Sequence, residues 1–225
     1  MKKNLFFALM AFAVLTFTAC DKKNDANNPE NPNSEEINEN GIKNEFGDGR
    51  LIIGAWSVTR GAYHFIFRSD GTCTDDGNYD GSGIWSYNPE TKILATTIKS
   101  WTWSMNIITA EALQGIYLNK GTSYGFYHSD NYVDANDKLL VGKWKTKEGK
   151  EIIFDGKKCS VNGSTKVTYK ITREQPEYDY PNAKIIFEDK TENDLYHLSG
   201  GYLKIGKSND GETGPYVGDY YYVTE

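Results

Sequence analysis

The densest group of hard oxygen ligands in the chain is Asp76-Gly77-Asn78-Tyr79-Asp80-Gly81, with Asp75 just ahead of it. Asp76, Asn78 and Asp80 fall on alternate positions. That is the spacing of the first half of a calcium loop, where carboxylate and amide oxygens converge on a hard cation. The twelfth position, which should bring a bidentate glutamate, is Tyr87, and no helix signals flank the loop. The same residues are strong turn formers, so half a motif weighs toward a solvated hairpin. No cofactor is expected beyond this Ca2+ reading. Gly121-Thr122-Ser123-Tyr124-Gly125 fits the pattern of a serine nucleophile, with His128 and Asp130 close in sequence. That nucleophile needs a strand, a sharp turn and a helix, whereas Phe126-Tyr127-His128 continues as strand. The three histidines, His64, His128 and His197, have no metal-ligand spacing. His64 lies between aromatics and reads as a packed or rim residue. Neighbouring carboxylates such as Asp75/Asp76 and Glu188/Asp189 would point to opposite faces of a strand, so adjacency does not make an acid–base pair. No motif has both its residues and its structural context, and no enzyme is expected.

Aromatic residues are more suggestive. Sixteen Tyr, ten Phe and five Trp make up 14% of the chain. Trp101 and Trp103 are two apart and would share one face of a strand, as would Tyr178/Tyr180 and Tyr220/Tyr222. Such pairs form flat apolar platforms with polar edges, suited to sugar rings or peptides, or else they fill the interiors of small barrels. Trp101 and Trp103 are the candidate ligand-binding residues.

The elements that would position these groups come in two copies. Leu51-Ile52-Ile53-Gly54-Ala55-Trp56 matches Leu139-Leu140-Val141-Gly142-Lys143-Trp144, placing the two Gly-x-Trp motifs 88 residues apart. His64 to Phe67, then Asp70-Gly71 and Cys73, matches Glu151 to Phe154, then Asp155-Gly156 and Cys159. Leu113 to Leu118 is aligned with Leu198 to Leu203. Three matches in one order imply a duplicated module, with 129–138 as the joint. Each copy reads as short strands divided by turns. In the first they fall near 52–59, 62–68, 72–76, 83–88, 92–98, 102–109, 112–118 and 122–127. In the second they fall near 140–146, 150–154, 157–161, 166–172, 183–188, 193–198, 200–206 and 216–224. No stretch has a helical period with caps, so helix should be scarce. The fold class predicted is all-β: two tandem up-and-down antiparallel barrels of about eight strands each, closed so that no edge is exposed. Cys73 and Cys159 take equivalent places in separate barrels, so two free buried thiols are expected rather than a bridge.

Gly54-Ala55-Trp56, then Phe67 to Thr72, then Gly83-Ile84-Trp85-Ser86-Tyr87, resembles the small lipocalin-like domains of bacterial lipoproteins. The resemblance covers most of the first copy; the second keeps Gly142-Lys143-Trp144 but has Lys157 where the motif has Thr. It implies that the tryptophan closes one barrel end and that the barrels bind small apolar molecules, although fold alone does not license a function.

Lys2 and Lys3, the apolar run Leu5 to Phe17 and the small residue Ala19 have the form of a secretory signal too short to span a bilayer. Leu15 to Cys20 resembles a lipobox, with Phe17 where an aliphatic residue is usual. The resemblance implies acylation of Cys20 and attachment to the cell envelope, with the outer membrane favoured. The organisation predicted is a signal peptide over 1–19, a lipidated flexible linker over 20–47, and barrels over 48–130 and 138–225. The linker is too polar to bury a core. Removing Lys2 and Lys3 takes the formal charge from −6 to −8. Such a chain is repelled by anionic lipid and nucleic acid. The expected partners are therefore a membrane, through lipid, and a small hydrophobic ligand, glycan or peptide, with no nucleic acid. The expected role is a non-enzymatic binding module; the alternative is a structural or interaction lipoprotein with solid barrels.

Overall fold

The computed structural model describes residues 46–59, 64–75, 81–129, 131–173, 183–206 and 214–224, which all belong to one compact unit. Cys20 and the segments expected to be a signal and a linker, up to residue 45, lie outside the described residues.

The chain is all-β. Alternation of apolar and polar residues decides which face of each strand turns inward. In β2 (His64–Phe67), His64 is exposed while Phe65 and Phe67 are buried; β14 (Ala183–Phe187) alternates buried and half-buried along its length. The first barrel closes β1 (Gly54–Val58), β2, β3 (Thr72–Asp75), β4 (Gly81–Asn88), β5 (Ile93–Thr96), β6 (Thr102–Ile108), β7 (Ala112–Tyr117) and β8 (Thr122–His128) in simple sequence order. The second closes β10 (Gly142–Lys145), β11 (Glu151–Phe154), β12 (Lys158–Val161), β13 (Val167–Arg173), β14, β15 (Glu192–Leu198), β16 (Tyr202–Gly206) and β17 (Gly218–Tyr222). A ninth strand joins that second sheet. β9 (Tyr132–Val133), from the segment expected to be a joint, pairs in parallel with His197 and Leu198 of β15. Helix among the described residues is limited to the short 3-10 segments Gly47–Ile52, Ile98–Ser100 and Asp137–Leu140.

The duplication is carried into the register. Phe67 faces Cys73 as Phe154 faces Cys159, and Trp56 faces His128 as Trp144 faces Tyr222. Each Gly-x-Trp motif closes a barrel end. The Trp56 indole N–H donates to the Ile52 carbonyl at 2.8 Å, and that of Trp144 to Leu140 at 2.7 Å, tying each tryptophan to the 3-10 segment before it. Gly142 has φ +136°, and a Cβ there would lie 2.4 Å from the Tyr222 ring, so only glycine opens the strand here.

One of the three sequence matches is corrected. Leu113 pairs with Ile108 and Phe126, whereas Leu203 pairs with Leu198 and Tyr220. Leu113 therefore corresponds to Leu203, not to Leu198. The Leu-x-Gly strings misled because Gly115 sits inside β7 opposite Met105, while Gly200 sits in the turn after β15. Both copies also carry a register shift at the same place, between Met105 and Ile107 and between Leu195 and His197.

The barrels meet at their closed ends. Ile53 of the first belongs to the second's core with Leu139, Leu140, Trp144, Leu198 and Leu203. The Gly200 N–H donates to the Ile53 carbonyl at 2.8 Å. Asp134, 2% exposed, accepts from Ser69 in the first barrel and from Tyr132 and Asn136. The opposite ends, where β5 turns into β6 and β7 into β8, lie away from this junction.

Candidate functional site

The mouth of the first barrel holds a cavity of about 160 Å³ lined by Val58, Phe65, Lys99, Trp101, Trp103, Tyr117, Lys120 and Tyr124. Both tryptophans picked out by spacing reach it, but by different routes. Trp103 lies inside β6 and is 4% exposed. Trp101 precedes the strand, in the connection from β5. Their rings meet edge to face at 6.1 Å, and Phe65 stands edge-on to both, at 5.0 Å from Trp101 and 5.4 Å from Trp103. Tyr117 and Tyr124 continue the wall, 6.3 Å apart. Phe65, Trp101, Trp103, Tyr117 and Tyr124 thus supply most of the cavity's lining.

The β5–β6 connection that carries Lys99 and Trp101 is clipped into one shape. The Thr96 N–H donates to the Trp101 carbonyl at 2.8 Å, and the Trp101 N–H to the Ile98 carbonyl at 3.0 Å. The Thr97 hydroxyl accepts from the Ile84 N–H at 3.0 Å. Within this clip Lys99 and Ser100 take φ of +48° and +53°. Left-handed backbone costs a non-glycine residue on the order of 1 kcal/mol, and such strain collects where side chains are held for a ligand. Lys99 and Lys120 are exposed at the rim. Neither was singled out in the sequence, because a lysine beside Asn119 and Gly121 reads as ordinary turn chemistry.

The second barrel differs at the same places. Its counterpart of Trp103 is Asn193, since Ile185 faces Asn193 as Leu94 faces Trp103. Asn193 is buried, and its amide nitrogen meets no partner among the described residues. Over this barrel's far end Tyr216 stacks on Phe187 with ring centroids 3.5 Å apart, and the Tyr220 hydroxyl donates to the Tyr216 carbonyl at 2.9 Å. Tyr216 and Phe187 join Phe154, Cys159, Ile185 and Tyr220 in a filled core.

The remaining sequence candidates fall elsewhere. Asp76, Asn78 and Asp80 lie outside the described residues; the flanking Asp75 and Gly81 pair with each other at the end of the β3–β4 ladder. Among the described residues no group of three His, Cys, Asp or Glu is placed to hold a metal. Ser123 is exposed near the start of β8, where its hydroxyl accepts from Gln114 at 3.3 Å, and the strand runs on past it without a turn. His128, at the far end of that strand, stacks on Trp56 instead. His64 is on the outside of β2 and contacts the Ser57 hydroxyl at 3.2 Å, so it is a rim residue and not a packed one. Cys73 and Cys159 are free and buried. Burial pushes their thiols up to about 11 and about 12, so neither is a nucleophile at neutral pH.

The junction gathers residues that sequence patterns did not flag. The Arg50 guanidinium donates to the Gly200 carbonyl at 3.1 Å and to the Leu139 carbonyl, and it lies 3.8 Å from the Tyr222 ring centroid. Burial lowers its pKa to about 10, so it stays charged at neutral pH. His128 is sandwiched between Trp56 at 4.1 Å and Tyr202 at 5.1 Å, and its Nε2 donates to the Ala110 carbonyl at 2.8 Å. Its ring is 5.3 Å from that of His197. Desolvation lowers both imidazoles, His128 to about 4 and His197 well below its ordinary value. Uncharged rings at this depth hold the two barrels together by packing. The chain matches no protein-family model, no curated protein and no solved structure.

Proposed function

We propose that this chain is a lipid-anchored protein of the cell envelope whose first barrel binds a small molecule in its aromatic mouth. The observation that carries the reading is the cavity walled by Phe65, Trp101, Trp103, Tyr117 and Tyr124. A concave site lined largely by aromatic side chains, with a few placed polar groups, is the usual form of a small-ligand site. The lipocalin-like resemblance of the first copy and the lipobox around Cys20 support the binding role and the anchor, with the outer membrane as its place. The second barrel favours the other role considered, that of a solid structural or interaction unit, because Tyr216 and Phe187 fill its far end. The molecule thus divides a receptor barrel from a supporting one.

The test is a screen of single-ring fragments against the full mature protein in nanodiscs, read by ligand-observed NMR. Fragments should bind the wild type, lose binding in Trp101→Ala, and keep it in Tyr216→Phe. A screen in which no fragment depends on Trp101 removes the receptor reading. Loss of fatty-acid labelling in Cys20→Ser tests the anchor separately.

A further inference from the structure

Resting on the reading of the first barrel as a receptor, we propose that its ligand is a small anion: one aromatic or alicyclic ring bearing a carboxylate, sulfonate or phosphate group. Size sets the first limit. A dry cavity of about 150 Å³ accommodates benzene, and sites for larger ligands begin at about 300 Å³. At about 160 Å³ the mouth holds one ring, not an extended acyl chain or a disaccharide. The wall sets the second. Phe65, Trp101, Trp103, Tyr117 and Tyr124 all line the space, so an inserted ring meets aromatic groups supplied by several strands and connections.

Charge sets the third. The full chain carries six more acidic than basic residues. Yet the basic residues that line this cavity, Lys99 and Lys120, are matched by no Asp or Glu in its lining. They come from separate connections, β5–β6 and β7–β8, so their convergence on one opening is a product of the closed barrel and not of local sequence. Lys99 is held there on a strained, hydrogen-bonded turn. An ammonium on a flexible stem acts as a point charge and accepts any anionic head group, without the planar selectivity of a guanidinium. The apolar ring would fill the cup and the anion would lie at the rim, half in water.

The experiment uses three probes of one shape on the full mature protein in nanodiscs: 4-fluorophenylacetate, 2-(4-fluorophenyl)ethanol and 4-fluorophenethylamine, each titrated by fluorine NMR. The acid should bind about tenfold more tightly than the alcohol, with the amine weakest, each rim contact contributing roughly threefold. Lys99→Gln with Lys120→Gln should bring the acid down to the alcohol and leave the alcohol unchanged. Equal binding of acid and alcohol, or preference for the amine, overturns the anion assignment and leaves the receptor reading intact. Binding of none of the three, with no response to Trp101→Ala, overturns both. Because both lysines are exposed, their variants should keep the wild-type melting temperature. If the double variant melts early, Lys120→Glu alone decides the matter by the same comparison.

Discussion

The Arg50 guanidinium satisfies two backbone carbonyls of the second barrel while it lies over the Tyr222 ring. Truncation would leave those carbonyls buried without donors and remove the cation–π contact. Arg50→Ala should therefore lower unfolding free energy by about 2–4 kcal/mol in urea titrations. Arg50→Lys should recover only part of this, because an ammonium lacks the planar fork that reaches both carbonyls; full recovery would mean that charge alone matters. The paired imidazoles make a second residue-scale prediction. His128 and His197 face Trp56, Tyr132, Tyr202 and the ammonium of Lys204. Burial is the main cause of both depressed values; for His197 the neighbouring His128 and Lys204 add to it. As pH falls, the unfolded chain takes up these protons first, near about 6.5. Stability is therefore complete above that value and is lost progressively toward about pH 4. With its pKa at about 4, His128 alone accounts for a loss on the order of 3 kcal/mol. His197→Leu should lose clearly less stability than wild type between about pH 7 and about pH 4.5. An unchanged acid loss in the variant would place its origin elsewhere.

At the scale of elements, the turn between β15 and β16 is the tightest contact of the junction. A Cβ on Gly200 would lie 1.6 Å from the Arg50 carbonyl oxygen, a backbone atom that cannot move aside. Gly200→Ala should therefore part the closed ends and expose the Trp56–His128 stack. Faster proteolysis between residues 129 and 138 and a red-shifted tryptophan emission would report it; a variant with wild-type resistance would contradict this packing. Most of the strand order was legible beforehand. Inward residues recur at period two, and Asp70-Gly71 and Asp155-Gly156 announce tight turns, where Asp70 accepts from the Thr72 N–H and Asp155 from that of Lys158. The site was legible in part. Trp101 and Trp103 stood out by spacing, though Trp101 comes from a connection and not from the strand itself. The lysines at the rim were not legible, since their meeting depends on β5 and β8 belonging to one closed sheet. Nor was the junction: Arg50 and Gly200 are 150 residues apart, and neither belongs to a local pattern. β9 was missed because two residues are too few to show alternation.

For the whole molecule, the decisive feature is that the two cores are not separate. Ile53 is counted among the buried residues of the second core, and Trp85 packs against both. Opening one barrel must therefore expose apolar surface of the other. Two independent barrels would unfold in two steps, whereas barrels that share this much surface should unfold in one. Trp103 offers a clean probe, since it lies at the far end of the first barrel from the junction and is 4% exposed. Trp103→Ala should destabilise the first barrel by about 3–5 kcal/mol through lost burial and the cavity it leaves. In native-state hydrogen exchange on the full chain, the slowest amides of β14 and β15 should lose protection by nearly the same amount, because their release requires global opening. If those amides keep wild-type protection while β6 and β7 lose theirs, the second barrel is an independent folding unit, and the shared core contributes packing without coupling.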